Sequence, residues 1–360
     1  MEPKSEIELA ELLMSAKAPI QIKGGGTRGI ASDDQVLSTK GFSGISLYQP
    51  GALTMVAGAG TPLSDITAAL DAENQMLPFE PYELSVVTGS YGKTTIGGVF
   101  ATNASGSRRL QVGAARDFLL GVRFVDGVGR IVKNGGRVMK NVTGYDLVKL
   151  MAGSHGTLGV ITQVSFKVLP KPQATGYLSA NDTTPEQAVA IMTRASKTPY
   201  DISGAWYDLA KRKVTIRIEG FAQSVDYRTE KLKECVSNLG KLEPDDEGAG
   251  NSFLSSETSD DIWKITCKPT DAVSVSKQLD SDNQLFDWAG GRIWARVPSG
   301  FDVRAKIDGI PAIATLMKAA PETAVALGRF QPEAPGVARL SQGLRQKFDP
   351  RGILNKGLMG

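Results

Sequence analysis

The groups best suited to chemistry in this chain of 360 residues belong to its backbone. Glycine recurs in four places: Gly24-Gly25-Gly26 before Thr27, Gly58-Ala59-Gly60, Gly97-Gly98 running on to Asn103 and Gly106, and Gly153 to Gly159. Of the 40 glycines, 24 lie in residues 1–160, within a segment still rich in Val, Ile and Leu. Glycine lets main-chain N–H groups approach a ligand unobstructed, and successive amides form nests that hold anions such as phosphates. Several loops converging on one long ligand explain the series. For any single loop, a glycine that only serves its own turn is an equal alternative.

Side-chain chemistry is scarce. His155 is the one histidine, and Cys235 and Cys267 are the two cysteines. That excludes a disulfide framework, a zinc knuckle, an iron–sulfur cluster and any metal site on two or three histidines. It also excludes Ser/His and Cys/His nucleophile pairs unless His155 is the base. The net charge of +3 is spread without runs, so no nucleic-acid partner is expected. Glu2, Lys4, Glu6, Glu8 and Glu11 interrupt residues 1–16, where an export signal needs an apolar run. No stretch of about 18 apolar residues could span a membrane, and a cytoplasmic setting is expected.

Neither familiar nucleotide motif fits. Gly24 to Gly29 formally reads G-x-G-x-x-G after a strand, but Ile30-Ala31-Ser32-Asp33-Asp34 is a poor helix. Gly92-Lys93-Thr94 resembles the end of a P-loop, yet Val87 stands where its first glycine belongs.

The elements that position these loops can be read from pattern. Ser5 and Glu8 form a capping box for a helix with Leu9, Leu12, Leu13 and Ala16 on one face. Pro19 stops it, and a strand at 20–22 leads into the first glycines. A strand at 53–57 is followed by a helix from Thr61-Pro62 to Ala72, with Thr61 as cap. Residues 118–133 read as a hairpin about Asp126-Gly127. Pro170-Lys171-Pro172 marks a boundary, and Pro332 to Pro335 a second. Between them the expected order is strand 175–180, helix 184–197, strands 203–208 and 213–219, helix 223–239 and a mobile polar loop at 243–261. Strand 262–267, helix 270–280, strands 284–288 and 292–297, helix 302–317 and strand 323–327 follow. That is the order of split βαβ modules on an antiparallel sheet. No internal repeat is visible.

At this point the glycine segments become recognisable. Lys23 to Thr27, Ala57 to Leu63, Thr95 to Asn103 and Gly153 to Thr162 occur in the order of the vanillyl-alcohol oxidase/p-cresol methylhydroxylase (PCMH) flavoprotein superfamily, which they resemble. Phe348-Asp349-Pro350-Arg351-Gly352-Ile353-Leu354-Asn355 looks like the segment by which those chains return to the flavin domain. Within the superfamily, Arg116 to Val122 and Lys140 to Leu147 resemble the FAD-binding E subunit of three-subunit glycolate oxidases. The resemblance implies an α+β fold: a two-lobed PCMH-type FAD-binding domain over 1–170, with 331–360 returning to it, and an antiparallel-sheet, ferredoxin-like cap over 171–330. It implies FAD, a share in oxidising glycolate, a 2-hydroxy acid, by electron relay, and partners comprising a second flavoprotein subunit and an iron–sulfur subunit; a self-sufficient small dehydrogenase and a non-catalytic flavin-binding assembly subunit are the alternatives. Membrane association would come only through that complex. By resemblance Gly24, Gly25, Gly26, Thr27 and Arg28 hold the pyrophosphate. Thr94, Thr95, Ile96, Gly97 and Gly98 with Ala101, Thr102 and Asn103 line the ribityl chain and ring. Gly159, Val160 and Ile161 present backbone to the adenine or ring side, and Asn355 approaches from the C-terminus. Two departures stand out: Gly-Ser-His-Gly at 153–156 where relatives often carry Glu, and Lys356 where Pro is usual. The three residues that could anchor a flavin covalently, His155, Cys235 and Cys267, lie outside the glycine triad, so FAD is expected to bind non-covalently.

Oxidising a 2-hydroxy acid needs a base for the hydroxyl, a cationic clamp for the carboxylate and exclusion of water. Relatives place a divalent metal on a histidine pair of the cap; here the cap has no histidine, and no metal site is expected. Arg292 and Arg296, four apart on an expected strand, share a face and could clamp a carboxylate, or lie on the surface. Arg304 and Arg329 are the other cations suited to anions. His155 could relay a proton or hold its own turn. Lys93 and Tyr91 could stabilise charge on a reduced ring, while Lys140 and Tyr145 could be structural. Trp206, Trp263, Trp288 and Trp294 read as core residues on cap strands, or, where exposed, as anchors of a docking surface.

Overall fold

Ser5 accepts the Glu8 N–H at 3.2 Å and so starts the helix Glu6–Ser15, but the Glu8 carboxylate turns to the Lys4 N–H at 2.7 Å. Only half of the capping box forms. Leu9 and Leu13 are fully buried, each contributing roughly 2–3 kcal/mol by removal from water. The computed structural model describes residues 1–28, 34–137, 144–246 and 259–359. The chain divides into two compact units: Met1–Ser105 with Gly113–Lys171 and Pro332–Gly360, and Gly106–Val112 with Pro172–Gln331.

The first unit is built on a five-stranded antiparallel sheet. Its order is Ile45–Gln49, Thr54–Gly58, Val160–Lys167, Leu119–Val125, Ile131–Gly135. The last two strands form the expected hairpin, and Asp126 closes its turn by accepting the N–H groups of Val128 and Arg130. A smaller parallel pair joins Ile20–Lys23 to Gln35–Ser38. The helix after Gly60 covers Leu63–Asp71 with no side-chain cap. The Thr61 hydroxyl serves the turn instead, donating to the Gly58 carbonyl at 2.7 Å.

The second unit is one eight-stranded antiparallel sheet. Its order is Glu243–Asp245, Ala174–Ala180, Lys213–Gly220, Ile202–Asp208, Gln284–Asp287, Arg292–Val297, Asp261–Thr266, Ile313–Lys318. Numbered along the chain, each group of four strands pairs as 4-1-3-2. Two ferredoxin-like modules therefore lie edge to edge, joined where Tyr207 pairs with Phe286. The repeat is one of topology and left no mark on the sequence. One face packs on the helices Pro185–Ser196, Ala222–Val236 and Ala272–Gln278 through Tyr207, Ile216, Trp263, Phe286 and Ile293.

Several boundaries differ from expectation. The helix expected over 302–317 is one turn, Val303–Lys306, because Gly309 takes φ +82° and Pro311 blocks continuation. The strand follows at Ile313–Lys318. The strand expected at 323–327 is instead the helix Pro321–Leu327, begun by Pro321 at its first position. Part of the polar stretch, Glu243–Asp245, is the outer strand; residues 247–258 and Lys140 lie outside the described residues. Among the described residues no helix is long and apolar enough to cross a membrane.

Candidate functional site

The glycine loops meet in the first unit, and much of what they hold is each other. A Cβ on Gly25 would lie 1.5 Å from the Lys93 carbonyl oxygen, and one on Gly92 would lie 1.8 Å from that of Gly25. Backbone packs directly on backbone there. Leu63 N–H donates to the Thr94 carbonyl at 2.8 Å, and Ile96 and Gly97 donate to Thr61 and Ala59, each at 2.9 Å. On the far side of the short helix Ile96–Thr102, Gly153 N–H reaches the Phe100 carbonyl and His155 N–H that of Ala101, at 3.0 and 2.8 Å.

Asn355 closes the arrangement. Its Oδ1 accepts the Ile22 N–H and its Nδ2 donates to the His155 carbonyl, both at 2.7 Å. The amide is thus committed to joining two loops. Arg351 does similar work nearby, donating to the carbonyls of Met14 and Ala16 at 3.1 Å and to that of Gly127 at 2.7 Å.

The residues expected to touch a cofactor fall into two groups. In the first are those with space or unused polarity. Gly26 has φ +73° and nothing within 4 Å of a Cβ, and Gly98 faces only the Thr95 hydroxyl. Thr94 is buried, and its hydroxyl has no hydrogen-bond partner among the described residues. Ser154, in the loop before His155, is the same. Thr27 stands in the same turn as Gly26, and Arg28 brings Nη1 to 3.4 Å from Nδ1 of His155, whereas a Cβ on Gly24 would lie 2.4 Å from the Thr95 hydroxyl, so Gly24, like Gly25, is packed on the fold. In the second group the side chains serve the fold. Thr95 caps its helix by accepting the Gly98 N–H at 3.3 Å, and Thr102 donates to the Gly98 carbonyl. Asn103 accepts the Arg116 N–H at 2.8 Å. Ile96, Gly97 and Ala101 are buried, Val160 and Ile161 pair with Val125 and Phe124 in the sheet, and a Cβ on Gly159 would strike Phe124. His155 has φ +54°, and both its backbone polar groups hold the turn. Tyr91 is fully exposed.

The orphaned Thr94 hydroxyl and the open backbone at Gly26 fit a polar, phosphate-bearing ligand such as FAD.

In the second unit, cross-strand register puts Arg292, Trp294 and Arg296 on the face away from the helices, opposite Thr266, Lys264 and Ile262. The common face expected for the two arginines is present. Arg292, however, is buried in an ion pair with Asp287 and stacks 4.2 Å from Trp288 and 5.4 Å from Trp294. Arg109 takes the other contact with Trp288 at 4.5 Å, and the indole donates to the Gly106 carbonyl at 2.9 Å. Trp288, expected as the last residue of the strand 284–288, sits instead in a 3₁₀ turn with φ +53°, just past the strand Gln284–Asp287. Trp206, Trp263 and Trp294 are core residues, which removes them as docking anchors. Arg304 and Arg329 donate to backbone carbonyls, including those of Leu327 and Met317.

Sequence reasoning passed over Lys264. It lies directly opposite Trp294 and is half-buried. Burial first, then the neighbouring Arg292 and Arg109, pushes its ammonium down to about 8. The alternation Ile262, Lys264, Thr266 against buried Trp263 and Ile265 was the available signal. Among the described residues no group of His, Cys, Asp and Glu is arranged to hold a metal.

The family described as FAD binding domain matches residues 1–135. The glycolate oxidase subunit GlcE of Escherichia coli is 34% identical over 360 residues, covering 98% of this chain and 96% of that one. The glycolate oxidase subunit GlcD of Bacillus subtilis is 31% identical over 245 residues, 67% of this chain and 45% of that one. The 4-ethylphenol oxidase of Gulosibacter chungangensis shares the fold at a TM-score of 0.72 and 12% identity, over 99% of this chain and 87% of that one. The antiparallel sheets, the converging glycine loops and a match along nearly the whole chain agree: this chain belongs to the GlcE family, FAD-binding oxidoreductase subunits of the vanillyl-alcohol oxidase/PCMH type.

Proposed function

We propose that this chain is the FAD-carrying subunit of a cytoplasmic glycolate oxidase complex that oxidises glycolate, a 2-hydroxy acid, to glyoxylate. It relays electrons beside a second flavoprotein subunit that holds metal and substrate, and an iron–sulfur subunit. The observation that carries this reading is the meeting of the loops at 24–28, 92–98 and 153–156, where the buried Thr94 hydroxyl has no partner among the described residues. When bound, FAD supplies the two-electron acceptor. The chain's part is to seat it: Gly26 and Gly98 leave room beside the backbone, Thr94 offers a hydrogen bond, and Arg28 offers positive charge near the loops. The FAD-binding role is assigned to residues 1–170 with 331–360, and binding is non-covalent. The sole histidine belongs to the turn at 153–156, so residues 171–330 lack the imidazoles that would hold a substrate metal.

A second reading has its own support. Lys264 makes no ion pair among the described residues and lies beside Arg292 and Arg109, a setting suited to a small carboxylate. The chain would then take the 2-hydroxy acid itself as a complete dehydrogenase.

One experiment separates them. The purified chain is mixed anaerobically with glycolate or D-lactate while flavin absorbance is followed. Bleaching only with the second flavoprotein subunit present is expected. Rapid bleaching by the chain alone would establish the second reading, and a chain that binds no added FAD would sink both.

A further inference from the structure

The helix Pro335–Phe348, in the first unit, has no buried residue. Its side toward the rest of the unit is only partly covered, at Ala338, Ser341, Arg345 and Phe348. Val337, Leu340 and Leu344, spaced three and four apart on one face, are 52%, 72% and 38% exposed. Intrinsic propensity does not explain an ordered helix here. Gly343 in its interior costs about 1 kcal/mol relative to Ala, and isolated helices of this length are marginal in water. Beside it is a cavity of about 510 Å³ whose lining includes Asp146, Lys149, Leu158, Glu333, Leu344 and Arg345. It has room for a large side chain supplied from outside.

We propose that the exposed face of this helix and the adjoining cavity form the docking surface for another protein subunit, one presenting an apolar ridge flanked by carboxylates, with one side chain anchored in the cavity. Charge argues for the carboxylates. The cavity's own two carboxylates are already engaged, Asp146 accepting the Lys149 N–H at 3.1 Å and Glu333 the Ser341 hydroxyl at 2.9 Å. The helix carries Arg339, Arg345 and Lys347 and no acidic residue. A second copy would bring the same cations against these, so self-pairing is opposed. A small ligand filling the cavity would leave Val337 and Leu340 bare, since neither lines it.

The inference rests on the reading that the chain works within a complex. Its test is pairwise co-expression with each other subunit of that complex, followed by size-exclusion chromatography and titration. Leu340→Asp with Leu344→Asp should weaken binding to one subunit about 100-fold, as loss of a buried apolar anchor does, with flavin content and melting temperature unchanged. Arg339→Glu with Lys347→Glu should weaken it about tenfold and flatten its salt dependence. Unchanged binding by the aspartate variant overturns the docking surface. Should that variant misfold, unchanged binding by the charge-reversed one does so. A wild-type homodimer dissolved by the aspartates overturns the choice of a different subunit. A flavin-loaded wild-type chain that co-elutes with neither subunit sinks the complex reading, and this surface with it.

Discussion

Asn355 donates its side-chain amide to the carbonyl of His155 at 2.7 Å, tying the C-terminal segment to a loop 200 residues earlier. The same amide accepts the Ile22 N–H, so one side chain sets the spacing between the first and last glycine loops. Asn355→Ala leaves a donor and an acceptor buried without partners, a loss of about 2–4 kcal/mol. Asn355→Asp keeps the acceptor for Ile22 but sets a carboxylate against the His155 carbonyl, and should cost more. Chemical denaturation with FAD titration measures both; a variant of wild-type stability would refute the clamp.

The glycines should separate by what a methyl group meets. Gly97→Ala drives its Cβ to 2.6 Å from Ala59 and should lower stability by several kcal/mol. Gly98→Ala meets only the Thr95 hydroxyl at 3.2 Å within a helix, and should fold as well as wild type. Its FAD affinity should nonetheless fall at least tenfold. Equal FAD affinity for Gly98→Ala and wild type would remove this glycine from the cofactor site.

Lys264 makes a pH-dependent prediction. Its ammonium is held down to about 8, so binding of oxalate, a carboxylate probe, should weaken as pH rises through that value. Lys264→Met should bind about tenfold less tightly at pH 7 without the dependence, and Lys264→Arg should move the fall to higher pH. Between about 8 and the free-lysine value of 10.5, the folded chain carries fewer protons than the unfolded one. The group's contribution to stability therefore rises with pH across that range. Calorimetric titration that finds no pH effect on oxalate binding would refute the site.

Glu6 predicts a rise of stability with pH in the acidic range. The Arg123 hydrogen bond, joined by the Thr162 hydroxyl, holds its carboxyl below the ordinary value of 4.5. Glu6→Gln should cost about 1 kcal/mol at neutral pH. A lowered carboxyl gives stability that is complete above the unfolded value and lost as pH falls through the folded one. The difference between wild type and variant should therefore close in that acidic range. A melting-temperature gap that persists there would show the charge to be irrelevant.

Strand-forming residues and punctuation carried most of the fold. The hairpin about Asp126 and the strands expected at 203–208 and 292–297 were visible as short runs of aromatic and β-branched residues bounded by turn signals. Over 302–327 the structure departs from the expected helix and strand because Gly309 and Pro311 end the helix after one turn and Pro321 starts another where a strand is expected. In the site, glycine spacing located the loops but could not tell Gly26, open to a ligand, from Gly25, pressed against Lys93. That distinction depends on which backbone lies opposite. Arg292 was legible as a cation on the right face; its pairing with Asp287 needed the turn that places Trp288 over it.

The C-terminal clamp joins segments far apart in sequence. Ile20 N–H bonds to the Ile353 carbonyl and Arg351 covers the last carbonyls of the first helix, so residues 351–355 complete elements lying within the first 23. A chain cut before residue 351 would lose all of these ties together, leaving the end of that helix open and the turn at His155 unfastened from the strand at Ile22.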